Sequence, residues 1–317
     1  MAINRFASSG DTDMKIVVTG GFGLVGRNFR EHTSVAGWNI MAPSRAELDL
    51  QDAAAVERYF ETHRPDAVVH AAGRVGGIQA NIANPVEFLV ENADIGRNVV
   101  LGARAAGVTQ LLNLASSCVY PRDHDGPLTE DMILTGSLEP TNEGYALAKI
   151  MTLKLCQYVR RADPSLDYKT ILPCNLYGRH DKFDPVHSHL IPAIIRKVHT
   201  AKLEHLPTVE IWGDGSARRE FMYAGDLADA LVKALGSMET LPELINIGLG
   251  HDHTILEYYT AVASVLGWKG EFTFDLARPV GMKRKLVDTS RQEQWGWQPS
   301  TSLLEGIAAT YHHYRTL

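Results

Sequence analysis

The stretch KIVVTGGFGLVG, residues 15–26, decides the fold. Its first half is a short β-branched run, the pattern of a buried strand. Its second half spaces Gly20, Gly23 and Gly26 at three-residue intervals and runs into a helical pattern. That spacing has a physical reason. The first glycine permits a tight turn, the middle one lets backbone approach a pyrophosphate, and the last lets helix and strand pack closely. A glycine-rich turn alone is weak evidence. Here it opens a chain in which strands and helices alternate, the setting of a dinucleotide site.

Working outward, a helical pattern runs from Leu24 to about Ala36, and WNIMAP reads as a second strand closed by Pro43. Residues 52–63 place Val56, Tyr59 and Phe60 on one helical face. DAVVHAAG (66–73) is a third strand, 85–106 a long helix, QLLNLASS (110–117) a fourth strand. Residues 144–162 are helical and YKTILP (168–173) is another strand. This alternation predicts the α/β class: a Rossmann-type doubly wound parallel sheet with helices on both faces. After residue 178 the rhythm changes. VEIWGDG and REFMY look like short strands, and Asp226 can cap a helix to about Leu235. Thr254-x-x-Glu257 and Ser302-x-x-Glu305 are capping-box patterns. The expected organisation is a dinucleotide-binding domain over 14–178, with a segment near 219–247 returning to it. A smaller C-terminal α/β substrate domain follows over 179–317. Residues 1–13 read as a leader or tag, without the apolar core of a secretory signal.

Composition excludes several classes. Hydrophobic residues are 45% and charged residues 21% of the 317, which is globular composition. A net charge of −6 gives no basic footprint for nucleic acid. No apolar run is long enough to span a membrane. Cys118, Cys156 and Cys174 are odd in number and form no C-x-x-C, which fits a reducing compartment, the cytoplasm. His180, Asp181, Asp184, His187 and His189 superficially resemble metal ligands, but their irregular spacing argues for no metal.

The tip of the second strand, MAPSRAE, carries Ser44 and Arg45 where an NAD-binding chain has a carboxylate. A cation there favours a 2′-phosphate, hence NADP(H). Glu47 is the nearby competitor. Further along, NEGYALAKI sets Tyr145 and Lys149 one helical turn apart on one face. A free tyrosine titrates near ~10, and an adjacent ammonium is expected to lower that value, making an acid/base for alcohol–ketone interconversion. Ser116, at the end of the fourth strand, would hydrogen-bond the substrate carbonyl beside Tyr145. Cys118 follows two residues later, so it should share a side with Ser116 if strand geometry continues.

With these residues in place, the chain resembles the extended short-chain dehydrogenase/reductases that act on nucleotide sugars. HAAGRVGGIQAN, SSCVYP, EPTNEGYALAK, PCNLYGRHDKFDPVHSHLIPA, WGDGSARREF and RKLVD are spaced as in the GDP-L-fucose synthase family, from about Lys15 to the C-terminus. The resemblance implies a GDP-4-keto-6-deoxymannose 3,5-epimerase and NADPH-dependent 4-reductase acting as a homodimer. It assigns proton transfer to Cys118 and His189, with His187 the rival for the latter role. A thiolate can take a proton acidified by the 4-ketone, and an imidazole can give one. Ser116, Tyr145 and Lys149 complete the catalytic set. Implied cofactor contacts are Gly20, Gly23, Leu24, Val25, Gly26, Ser44, Arg45, Leu50, Ala71, Ala72, Leu114, Lys149, Pro173, Asn175, Leu176 and His189. Implied contacts to the GDP-sugar are Asn175, Lys197, Trp212, Arg219 and Asp275, with Lys285 a further candidate. Phe22, Lys197 and Gly144 depart from the pattern, standing where relatives carry arginine, arginine and proline. Colitose-type and 6-deoxy-heptose-type siblings, or a reductase without epimerisation, would present nearly the same constellation. A non-catalytic nucleotide-binding regulator would commonly lack Tyr145 or Lys149.

Overall fold

The computed structural model describes residues 14–184, 188–277 and 284–317. The expected leader and His187 lie outside the described residues. The first half alternates as follows: β1 (Lys15–Thr19), α1 (Leu24–Arg30), β2 (Asn39–Met41), α2 (Ala53–His63), β3 (Ala67–His70), α3 (Ile78–Ala83), α4 (Pro85–Ala105), β4 (Gln110–Leu114), α5 (Glu143–Ala162) and β5 (Asp167–Pro173). The second half is more broken: β6 (Asn175–Tyr177), α6 (Leu190–Leu203), β7 (Thr208–Trp212), β8 (Arg218–Arg219), β9 (Phe221–Tyr223), α7 (Ala224–Gly236) and β10 (Leu244–Ile247). It ends with β11 (His253–Thr254), α8 (Ile255–Leu266), β12 (Glu271–Asp275), β13 (Arg284–Lys285), α9 (Ser290–Gln294) and α10 (Leu303–Tyr314).

Strand order in the main sheet is β10-β5-β4-β3-β1-β2, all parallel. The chain leaves β1 in one direction to β2 and in the other to β3. Ligands of open parallel sheets bind at such a switch point, outside the carboxyl ends of the strands. The central strands are buried on both faces, as their continuous apolar runs require. One core packs one face of the sheet, with Val18, Val69, Leu112, Ile171 and Ile245 against α5 and α7. A second packs the other face, with Val17, Val68 and Leu111 against α2 and α4. A third core lies in the C-terminal lobe among α6, α8 and α10.

Several local expectations needed correction. Helix α1 stops at Arg30, and Thr33–Val35 forms a separate 3-10 turn capped by the His32 ring. Asp226 does not cap α7. Tyr223 holds that position, and the Asp226 carboxylate accepts from the Thr301 amide and hydroxyl, tying α7 to the approach of α10. The Thr254–Glu257 and Ser302–Glu305 pairs do form reciprocal capping boxes on α8 and α10. The segment that returns to the main sheet is β10, beside β5.

Candidate active site

The turn after β1 has the shape a dinucleotide phosphate needs. Gly20 has φ +72, and a Cβ there would stand 2.7 Å from the Ala72 backbone, so only glycine fits. A Cβ on Gly26 would drive into the Gly20 carbonyl. The Gly23 amide closes the turn onto that same carbonyl at 3.0 Å, and Leu24 and Val25 open α1. Ala71 and Ala72 follow β3 across from this turn, and the Ala71 amide donates to Thr19 at 3.1 Å. Beneath them the Thr19 hydroxyl meets His70 Nδ1 at 2.7 Å. Burial pushes the His70 ring down to about 3, so it is a neutral strut between adjacent strands. At the tip of β2, the Glu47 carboxylate accepts from the Ser44 amide at 2.7 Å, and that bond holds it below the usual carboxylate range. Glu47 is thus tied into the turn, while Arg45 is exposed beside it. The Leu50 carbonyl is held by Asn98 at 2.9 Å. These features fit a bound dinucleotide.

The reacting end is built at the ends of β4 and β5 and the start of α5. Strand β4 ends at Leu114, earlier than alternation suggested. Ser116 is extended, and Ser117–Val119 forms a 3-10 turn. That turn, rather than continued strand geometry, returns Cys118 toward Ser116, whose Oγ accepts from the Cys118 amide at 3.3 Å. The Tyr145 phenol lies near enough to Ser116 for the hydroxyl to favour its ionised form. Lys149, one turn further along α5, donates to the Leu114 carbonyl at 3.1 Å. Its Nζ lies 5.8 Å from the Tyr145 ring centre.

Electrostatics here differ from the expectation. Burial and the Cys118 sulfur push the Tyr145 phenol up, and only the Ser116 hydrogen bond pulls it down. Burial pushes Lys149 itself down to about 8. A tyrosine held protonated is the right state for a group that gives a proton to a newly formed alkoxide.

His189 stands at the N-cap position of α6, half-buried, and burial with the Lys182 charge lowers its imidazole below the usual value. Pro173 ends β5. In β6, the Asn175 side-chain amide donates to the Glu220 carbonyl at 2.8 Å, fixing Asn175 and Leu176 beside β9. In the C-terminal lobe, Asp275 and Trp212 are register partners on β12 and β7. The Lys197 ammonium lies 5.4 Å above the Trp212 ring and donates to the Glu210 carbonyl at 3.2 Å. Arg219 lies on β8, its backbone carbonyl held by the Tyr258 hydroxyl at 2.8 Å. Among the described residues, no group of three or more His, Cys, Asp or Glu is placed to hold a metal ion.

Two contacts depart from the sequence reading. Lys285 reaches Cys118 Sγ, at 3.6 Å, rather than the Trp212 region. Asn142, quoted within EPTNEGYALAK without a role, donates to the same sulfur at 3.2 Å. Asn92 was also missed: its side chain clasps Arg74 by both backbone groups, at 2.9 and 3.1 Å, and fixes the loop after β3 beside Lys149. Gly144 abuts the Pro85 carbonyl closely enough that a Cβ would lie 2.9 Å from it.

Residues 16–248 match the NAD dependent epimerase/dehydratase family. The chain is 52% identical over 302 residues to a GDP-L-fucose synthase of Azorhizobium caulinodans, covering 95% of this chain and 96% of that one. It is 51% identical over 301 residues to a GDP-L-colitose synthase of Yersinia pseudotuberculosis, covering 95% and 98%. The solved GDP-mannoheptose C4 reductase of Campylobacter jejuni, with NADP bound, superposes with a TM-score of 0.88 at 30% identity, covering 97% and 100%. Glycine turn, switch point, Ser–Tyr–Lys set and these likenesses agree: the chain belongs to the NAD dependent epimerase/dehydratase family.

Proposed function

We propose that this chain is a bifunctional 3,5-epimerase and NADPH-dependent 4-reductase that converts GDP-4-keto-6-deoxy-D-mannose to GDP-L-fucose. One observation carries the reading. The Ser116 hydroxyl, near enough to the Tyr145 phenol to pull its titration down, also accepts from the amide of Cys118, whose side chain bears on the same phenol. A carbonyl-polarising pair and a thiol therefore lie together at the end of β4. The Azorhizobium GDP-L-fucose synthase supports the substrate, and the NADP-bound Campylobacter reductase supports the cofactor.

The 4-ketone makes the hydrogens on carbons 3 and 5 acidic, since the C–H electron pair can move onto the ketone oxygen. Ser116 and Tyr145 donate to that oxygen and stabilise the enolate. Cys118 and His189 move the protons at the two carbons, one accepting and the other returning from the opposite face. When bound, the reduced nicotinamide supplies a hydride to carbon 4. Tyr145, kept protonated by burial, then neutralises the carbon-4 alkoxide. Lys149 holds the nicotinamide ribose. Gly20, Gly23 and Gly26 receive the pyrophosphate, with Ser44 and Arg45 at the 2′-phosphate. Leu50, Ala71, Ala72, Leu114, Pro173 and Leu176 border the dinucleotide. Lys197, Trp212, Arg219 and Asp275 hold the GDP moiety, with Asn175 beside the sugar. The reading extends to a homodimer through α4 and α5, whose outer faces expose Val86, Val90, Leu147, Met151 and Tyr158. It places the reaction in the cytoplasm, consistent with three unpaired cysteines.

The colitose-type reaction, on a sugar lacking one oxygen, is the competing assignment, favoured by the Yersinia relative. The test is NADPH oxidation with each GDP-4-keto sugar, with the product identified by NMR. GDP-L-fucose formed at the higher kcat/KM supports the proposal. Turnover of the dideoxy precursor alone would replace it with the sibling.

A further inference from the structure

We infer that Lys285 and Asn142 are positioning residues that hold the Cys118 sulfur as a thiolate for the epimerase half-reaction, an inference that rests on the function proposed above. The observation is a convergence of donors. Lys285 Nζ stands 3.6 Å from Cys118 Sγ and Asn142 Nδ2 stands 3.2 Å from it. An ammonium has donors and no acceptor, and the amide nitrogen of asparagine likewise only donates. Two such groups aimed at one sulfur match an anion better than a neutral thiol. Cationic neighbours are the usual means by which proteins favour thiolate. Cys156 and Cys174, by contrast, are buried in the core, and burial pushes their thiols up.

The fold places this ammonium from both sides. Strand β13 runs beside β8, with Arg284 paired to Arg218 and Lys285 to Arg219. The Asp252 carboxylate bridges the first pair, accepting from Arg218 Nε at 2.6 Å and Arg284 Nε at 2.5 Å. Two residues past Lys285, the Val287 amide donates to the buried Glu220 carboxylate at 2.9 Å. Lys285 is thus pinned between two anchored neighbours, and its side chain crosses to the turn after β4. Asn142 approaches from the other direction, as the residue preceding α5. The sulfur is gripped between the segment that carries Tyr145 and the strand pair that carries Arg219. Engagement of the substrate by β8 and activation of Cys118 by β13 are consequently set by one short ladder.

The test is labelling of Cys118 by iodoacetamide at pH 7, read on the Cys118 peptide by mass spectrometry in the full chain. Cys156 and Cys174 serve as internal reporters, since they label only if the fold opens. Lys285→Met should slow Cys118 labelling roughly three- to tenfold, the lost thiolate fraction being partly offset by higher intrinsic nucleophilicity. Lys285→Arg should stay within about twofold of wild type, since it keeps the charge. Asn142→Ala should fall between them. Equal or faster labelling of Lys285→Met, with the reporters unlabelled, overturns the inference. A second readout is deuterium exchange into GDP-4-keto-6-deoxymannose. Loss in kcat supports a role at the sulfur, whereas a rise in KM alone with unchanged labelling makes Lys285 a substrate contact and overturns it. Labelling needs no substrate. Slowed labelling in a protein that turns over no 4-keto sugar would retain the Lys285–Cys118 assignment and reject the proposed reaction.

Discussion

Replacing Lys149 by methionine should stabilise the cofactor-free protein at pH 7 while abolishing its chemistry. Lys149 is only 7% exposed, and burial alone carries its amine from 10.5 down to about 8. At about 1.36 kcal/mol per unit, keeping the ammonium charged in that site costs roughly 3 kcal/mol. Methionine has a similar length and no charge to desolvate. It leaves the Leu114 carbonyl without its donor, which costs about 1–3 kcal/mol. The net is a gain on the order of 1 kcal/mol for the variant, or about 1–2 °C in Tm for a chain of this size. The sign depends on pH. Between about pH 8 and 10.5 the unfolded lysine keeps a proton that the folded one has released, so wild-type stability rises with pH across that window. Above it, the neutral amine can still serve Leu114 without a desolvation cost. Scanning calorimetry of both proteins from pH 7 to 10.5 should show the Lys149→Met variant ahead at the start and behind at the end. All other groups titrate in both proteins, so the difference isolates Lys149. A variant less stable at pH 7, or a difference that does not change with pH, would refute the reasoning.

Other substitutions probe separate links. Tyr145→Phe removes the proton donor to the alkoxide, and reduction measured by NADPH oxidation should fall about 10²–10⁴-fold in kcat. Gly26→Ala forces a methyl into the Gly20 carbonyl; denaturant melts should show a loss of about 1–3 kcal/mol, and NADPH titration should show weakened binding. Thr254→Ala removes a capping box on α8, 12 residues long, and should cost about 1 kcal/mol in the same melts.

Much of this architecture is legible in local sequence because local physics writes it. KIVVTGGFGLVG specifies strand, turn and helix at once, and the turn that forms is one only glycine tolerates at Gly20. The spacing of Tyr145 and Lys149 guarantees a shared helical face, and the two capping boxes are four-residue signals read without tertiary context. What escapes is non-local. Ser116 and Cys118 are neighbours because a 3-10 turn closes after β4, whereas alternation extrapolated the strand through them. The Lys285–Cys118 contact spans 167 residues and depends on the register of two-residue strands, which no pattern announces. Asn142 stood inside a quoted motif, but its role depends on where the sulfur lies. The environment of Tyr145 is non-local for a related reason. Helical spacing brings Lys149 near the ring, yet the burial that pushes the phenol up is set by packing that no local pattern announces.

One site is proposed both to invert carbons and to reduce the ketone, with Cys118 moving protons beside the Ser116–Tyr145 pair. The most direct measurement is incubation with GDP-4-keto-6-deoxymannose in heavy water without nicotinamide, followed by NMR of carbons 3 and 5. Wild type should show deuterium at both carbons, and Cys118→Ser should lose it. NADPH oxidation by wild type without any carbon-bound deuterium would contradict the proposal, leaving a simple ketoreductase in which Cys118 only packs.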